Sequence, residues 1–230
     1  YGGALEYADA SLCSDREVVL AAVQQSGDAL WHADASLNAD HALVEQAIYW
    51  SVGAIEWLDE ALQADRQLVL LHMTLHLSQA NVSQYLANAP DAIKADRDII
   101  LMAVGLDGLA LEHAAASLQA DCGVVMAAVE EWGPALKHAA DSLKADRSVV
   151  MAAVKRNGSA YEHAAATLKA DAEVLQTALW SGIDVLEHAP DSLKAERPVV
   201  MAAVTLDARA LTFAHISLRC DAAIVEAATC

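Results

Sequence analysis

The residues best spaced to do chemistry are two histidines in the stretch HMTLH, His72 and His76. An i, i+4 pair sets both imidazoles on one face of a helix, which is how zinc proteases present two of their ligands. The glutamate that would serve as general base is missing, since Met73 stands in its place, and no third ligand can be named. The pair is a weak candidate for a metal, and the expectation is no catalytic residue, no metal and no cofactor. Asn81, Ser83, Gln84 and Asn88 form a polar cluster just beyond it, while Trp50 and Trp57 lie just before it. Exposed tryptophan is enriched at interface hot spots. Trp50, Trp57, His72, His76, Asn81 and Gln84 are therefore the candidate partner-binding residues.

A second set of histidines, His32, His113, His138, His163 and His188, recurs at one repeat position. A metal ladder would not tolerate Tyr7, Trp57, Asn88 and Phe213 in the same column, and neighbouring repeats about 9–10 Å apart would hold the rings too far apart to share zinc. The expectation is a stack of flat, semi-polar rings between helices. Columns of glutamate (Glu6, Glu56, Glu112, Glu162, Glu187) and of basic residues (Lys94, Lys144, Lys169, Lys194, Arg219) read as solvated faces. Trp31, Trp132 and Trp180 read as packing residues. No Gly-rich phosphate loop, nucleophile elbow or paired-carboxylate context is present, so an enzyme is not expected.

These residues are positioned by a repeat. The acidic residue of a recurring phrase falls at Asp15, Asp40, Asp65, Asp96, Asp121, Asp146, Asp171, Glu196 and Asp221, every 25 residues apart from one interval of 31 between Asp65 and Asp96. Self-similarity at such a period marks a stacked array. In residues 133–157, GPALKHAADSLKADRSVVMAAVKRN, Gly133 reads as the left-handed residue that ends the preceding helix, and Pro134 suits the first turn of the next. Ala135, Leu136, Ala139 and Ala140 make the apolar side of a short helix, whose end is marked by Pro90 and Pro190 in the column of Ala140. DSLK forms a single turn carrying Leu143 inward. Asp146 caps a second helix, where Val149, Val150, Ala153 and Val154 make the buried stripe. An alanine column (Ala21, Ala47, Ala103, Ala127, Ala152, Ala178, Ala202, Ala227) lets helices approach closely.

Composition agrees with an all-α chain: of 230 residues 56% are hydrophobic, yet Phe occurs once, Pro four times and Gly ten times. The formal net charge of −18 disfavours nucleic acid and anionic membrane surfaces. Residues 1–107 hold four basic against sixteen acidic side chains, a surplus that would steer a basic partner to that half. Four cysteines (Cys13, Cys122, Cys220, Cys230) follow no CxxC or CxxH spacing, so neither zinc nor a disulfide framework is implied, and a Cys220–Cys230 bridge stays open. No apolar run reaches membrane-spanning length. The chain starts without Met inside the repeat pattern and stops in mid-repeat, and the expectation is a piece of something longer.

The pattern LxHAxxxLKADRxVVMAAVxxxG resembles the tandem repeat of a domain-of-unknown-function family common in microalgae and other protists, with repeats of the type Leu-Lys-x-Asp-Arg-Glu-Val-Val-Leu-Ala-Ala-Val. The stretch from Asp15 to Val23, DREVVLAAV, matches it closely. That resemblance implies an α-solenoid and a unicellular eukaryotic source, cytoplasmic or organellar, with the plastid as one option. The whole reading is an all-α solenoid of about nine 25-residue helical hairpins over residues 1–230, with an irregular junction at 72–90. Its expected function is a non-enzymatic protein–protein interaction scaffold, an accessory or bridging subunit that meets other proteins of a larger complex, with neither nucleic acid nor membrane insertion. The alternatives are a metal- or small-molecule-binding helical-repeat module and the non-catalytic arm of a longer protein.

Overall fold

The computed structural model of the chain describes residues 2–181 and 184–229, and these contain helices and no strand. The chain divides into two compact units, Tyr1–Ile99 and Ile100–Cys230. Each is a succession of the predicted repeats. Within one repeat a 3-10 helix such as Gly133–His138 leads through two extended residues to the single turn Asp141–Lys144, and then to the α-helix Arg147–Arg156. The repeats are laid side by side by like elements: Arg16–Val23 on His41–Trp50 and His41–Trp50 on Arg66–His76 in the first unit, and Cys122–Glu131, Arg147–Arg156 and Ala172–Ser181 in series in the second.

The predicted cap is present almost throughout. Asp146 accepts from the amides of Ser148 and Val149, and Asp15, Asp40, Asp65, Asp171 and Asp221 do the same in their repeats. Glu196 is the exception and makes no side-chain cap. Its carboxylate is one methylene longer, and Pro198, in the place of the usual first donor, has no N–H, so only the amide of Val199 is left to be capped. Glu196→Asp should therefore add about 1 kcal/mol, the usual size of such a cap, read as a raised melting temperature; an unchanged or lowered one would refute the account. Pro90 and Pro190 occupy extended positions just before the single turns, where the missing N–H costs nothing. Leu143 itself is only part-buried, whereas its counterparts Ile93, Leu118 and Leu193 are buried.

Three details differ from the sequence reading. The first helix of the hairpin is 3-10, because six residues between a crowded start and an extended exit favour the tighter turn, which gains more rise per residue. The glycines that follow each α-helix are not left-handed, since among the described residues no glycine has positive φ. Their role is close approach: a Cβ on Gly133 would lie 2.5 Å from the carbonyl oxygen of Ala153, and one on Gly108 2.6 Å from that of Ala128. Gly27 meets Ala47 in the same way. The alanines in this register are Ala22, which is part-buried, and Ala47, Ala103, Ala128, Ala153, Ala178 and Ala203, which are buried. The column predicted from sequence mixes two registers, with Ala21 exposed and Ala127, Ala152 and Ala202 only part-buried.

The sequence reading also missed the link between repeats. Where an arginine follows one cap, the next capping Asp also takes it: Arg16 Nε lies 2.6 Å from Asp40, Arg66 Nε 2.9 Å from Asp96, Arg147 Nε 3.4 Å from Asp171 and Arg197 Nε 3.1 Å from Asp221. His41 replaces the arginine against Asp65 at 3.4 Å. The DR dipeptide repeating every 25 residues carried this signal. Backbone bonds reinforce it, with the amides of Ala140 and Ala165 donating to the carbonyls of Gln119 and Lys144. The basic column likewise has a job beyond solvation: Lys94 and Arg219 donate to the carbonyls of Ala87 and Ala214 at the ends of the preceding helices, as Gln63 and Gln119 do in their repeats.

Cys13, Cys122 and Cys220 are free thiols, and Cys230 lies outside the described residues. Among the described residues no helix is long and apolar enough to cross a membrane.

Candidate functional site

The long interval changes the local structure in two ways. Arg66–His76 runs to eleven residues, and after a short turn the next helix, Val82–Asn88, is α instead of 3-10. It buries Val82 and Leu86 at i, i+4, where the 3-10 helices bury adjacent residues such as Ala29 and Leu30. The turn is held by Asn81, whose side-chain oxygen accepts from the backbone and hydroxyl of Ser78 while its nitrogen donates to the carbonyl of His76. Asn81 is thus a part-buried residue whose amide is committed to the turn.

Two substitutions in the packing columns coincide here. Counting by 25, Gly27 is followed by Val52 and Ala47 by His72. The small-on-small approach seen at Gly27, Gly108 and Gly133 is therefore replaced by a branched side chain and an imidazole. A pocket of about 410 Å³ opens beside them, lined by Val52, Ile55 and Leu77, by His72 and Tyr85, and by Glu56, Gln84 and Asn88 among its polar groups. His72 is 2% exposed, and its Nδ1 is sealed from solvent with no hydrogen-bond partner. Its ring lies 5.0 Å from that of Tyr85 and 5.5 Å from that of His76. Burial, helped by His76, lowers its pKa to about 4, so the imidazole is neutral at physiological pH. Burial raises the Tyr85 hydroxyl to about 12.

The i, i+4 histidines face one another, with ring centroids 5.5 Å apart. His76 Nε2 is bonded to the carbonyl oxygen of Ile48 and so carries a proton. No group of three His, Cys, Asp or Glu side chains placed to hold a metal occurs among the described residues. Gln84 is exposed at the pocket edge, and its side-chain amide makes no hydrogen bond among the described residues.

The tryptophans are not in the core. Trp31 is 63% and Trp57 43% exposed, and the two rings meet edge to face at 5.9 Å. Tyr49 and Trp50, both more than half exposed, make a second edge-to-face pair at 5.1 Å. Trp132 and Trp180 in the other compact unit are also exposed, against the expectation of packing. The sequence missed Trp31 as a surface residue because one apolar ring in a periodic column looks the same whether it faces in or out.

The histidine column does not stack ring on ring. Its members meet the glutamate column: His138 lies 3.9 Å from Glu112, His163 3.1 Å from Glu162, and His188 3.4 Å from the same Glu162. Desolvation outweighs these carboxylates at His138 and His163 and lowers their pKa values. The aromatic ring normal to such a column would need no partner, whereas an imidazole keeps a nitrogen that finds the neighbouring acid.

Residues 1–38 and 121–169 match the family model described as Domain of unknown function (DUF4116), so these parts of the chain are similar to an uncharacterised domain family. No curated protein and no solved structure matches the chain.

Proposed function

We propose that the chain is a non-enzymatic scaffold for protein–protein interaction, an accessory or bridging subunit of a larger assembly. The observation that supports this reading is the pair of exposed aromatic couples, Trp31 with Trp57 and Tyr49 with Trp50, on the compact unit that carries most of the acidic surplus. Rigid aromatic area left in water has little reason to persist in a chain able to bury its apolar residues, unless a partner covers it. The net charge disfavours nucleic acid as that partner. On the same reading the matched segments are copies of one repeat within a tandem array, an α-solenoid of protist origin, working in the cytoplasm or an organelle such as the plastid.

Crosslinking in the native source, comparing the natural chain with one carrying Trp50→Ser and Trp57→Ser, tests the reading. Because both rings are exposed, the variant should keep its helicity and melting temperature. Partner recovery should fall at least about tenfold, as expected on losing two hot-spot rings worth about 2 kcal/mol or more each. Unchanged recovery of the same partners would refute this surface as the contact.

A further inference from the structure

The pocket beside His72 is a second feature, separate from the aromatic surface, and it calls for a different kind of occupant. The geometry points to a binding site for a compact amine, a protonated nitrogen carried on a flat apolar body, seated between Tyr85, His72 and Glu56. The enclosure is about 410 Å³, enough for a molecule of one or two rings. Val52, Ile55 and Leu77 supply aliphatic walls and Tyr85 an aromatic face, the surfaces on which a ring is held and a cation is attracted to the π system. Glu56 is the one charged side chain among the lining residues, and neither Lys nor Arg is among them. Anionic ligands therefore meet a carboxylate with no compensating charge, while an ammonium gains one.

His72 provides the independent sign that something belongs here. A polar nitrogen that is sealed from water and left unbonded is costly to bury, and His72 Nδ1 is such an atom on a residue that lines the pocket. An imidazole that stays neutral does not repel a cation. Gln84, with its amide uncommitted, stands at the edge to take a further polar group. Asn81 and Gln63 also line the pocket, but they are engaged in holding backbone carbonyls and serve as walls. The origin of the pocket fits a dedicated site, because His72 is the one departure from the alanine column and faces, in register, a position of the glycine column that holds the branched Val52.

The test is calorimetric titration of the intact chain at pH 7.5 with tryptamine, and with indole-3-propionate as its anionic counterpart of similar shape. Tryptamine should bind saturably at one site per chain, and indole-3-propionate at least about tenfold more weakly. Glu56→Gln, a change at an exposed side chain, should weaken tryptamine at least about tenfold. Glu112→Gln, at the same repeat position but away from the pocket, should leave it unchanged. No saturable tryptamine binding in the low-millimolar range, equal binding of the two probes, or equal effects of the two substitutions would each overturn the site. The inference does not rest on the scaffold reading: amine binding can fail while crosslinked partners persist, and the reverse.

Discussion

Gly133→Ala is expected to destabilise the second compact unit by about 2 kcal/mol, within the range for a methyl forced into a closed contact. The added Cβ would stand 2.5 Å from the carbonyl oxygen of Ala153 and, less tightly, 3.1 Å from the backbone nitrogen of Asn157. The neighbour at 2.5 Å is backbone in the middle of a helix, which cannot swing aside as a side-chain tip would, so the 3-10 helix must lift away. For a chain of this size the loss corresponds to a melting temperature lower by roughly 4–8 °C. Gly105→Ala is the internal control. A Cβ there meets nothing within 4 Å, and the residue lies in the α-helix Arg97–Leu106, so alanine should stabilise by up to about 1 kcal/mol. If both substitutions destabilise equally, or neither does, close approach is not the reason for the glycine column.

The second large effect is on the acid side of neutrality. His72 titrates near 6.5 when unfolded and near 4 in the fold, because burial and the nearby His76 oppose its charge. The unfolded chain then binds more protons than the native one between these values, so stability contributed by a neutral His72 is complete above pH 6.5, declines as pH falls to about 4, and changes no further below that. At about 1.36 kcal/mol for each unit, the loss approaches about 3 kcal/mol. His138 and His163, lowered chiefly by desolvation, lose stability in the same direction as pH falls below the ordinary histidine value. The paired carboxylates Asp40, Asp96 and Asp171 act lower, below the ordinary carboxylate range. Urea melts from pH 7.5 to 4 on the natural chain and on His72→Phe separate these contributions. The difference between the two should narrow as pH falls, in favour of the variant; parallel curves would show that His72 is not buried in its neutral form.

What could be read from the sequence was whatever repeats within its own repeat. The capping aspartates, the single DSLK turn and the proline position each depend on residues a few places apart, and local chemistry settles them. The glycine column was assigned the wrong cause because its reason, the carbonyl of Ala153 or Ala128, lies twenty residues downstream, while a helix end lies immediately upstream. The choice of 3-10 over α could not be read because in a six-residue segment both bury Ala135 and Leu136 equally well. Asn81 looked free to meet a partner, yet its amide closes the turn that the long interval creates. The pocket was visible only in part. The interval drew attention to His72, but its meaning depends on its register with Ala47, and that of Val52 on its register with Gly27. Once the columns are aligned on the buried alanines, both stand out without any coordinates.

The links between repeats also bear on how such a chain can change. Every capping aspartate serves its own helix and, where the arginine is present, the repeat before it, so each copy depends on its immediate neighbours and on little else. An altered copy is consequently a local experiment. His41 in place of an arginine, or an interval of 31 in place of 25, leaves the next cap formed as usual. A chain wired in this way can try new side chains in one repeat while the others go on folding, and a cavity such as the one beside His72 can arise as a spelling change in a single copy of an otherwise redundant text.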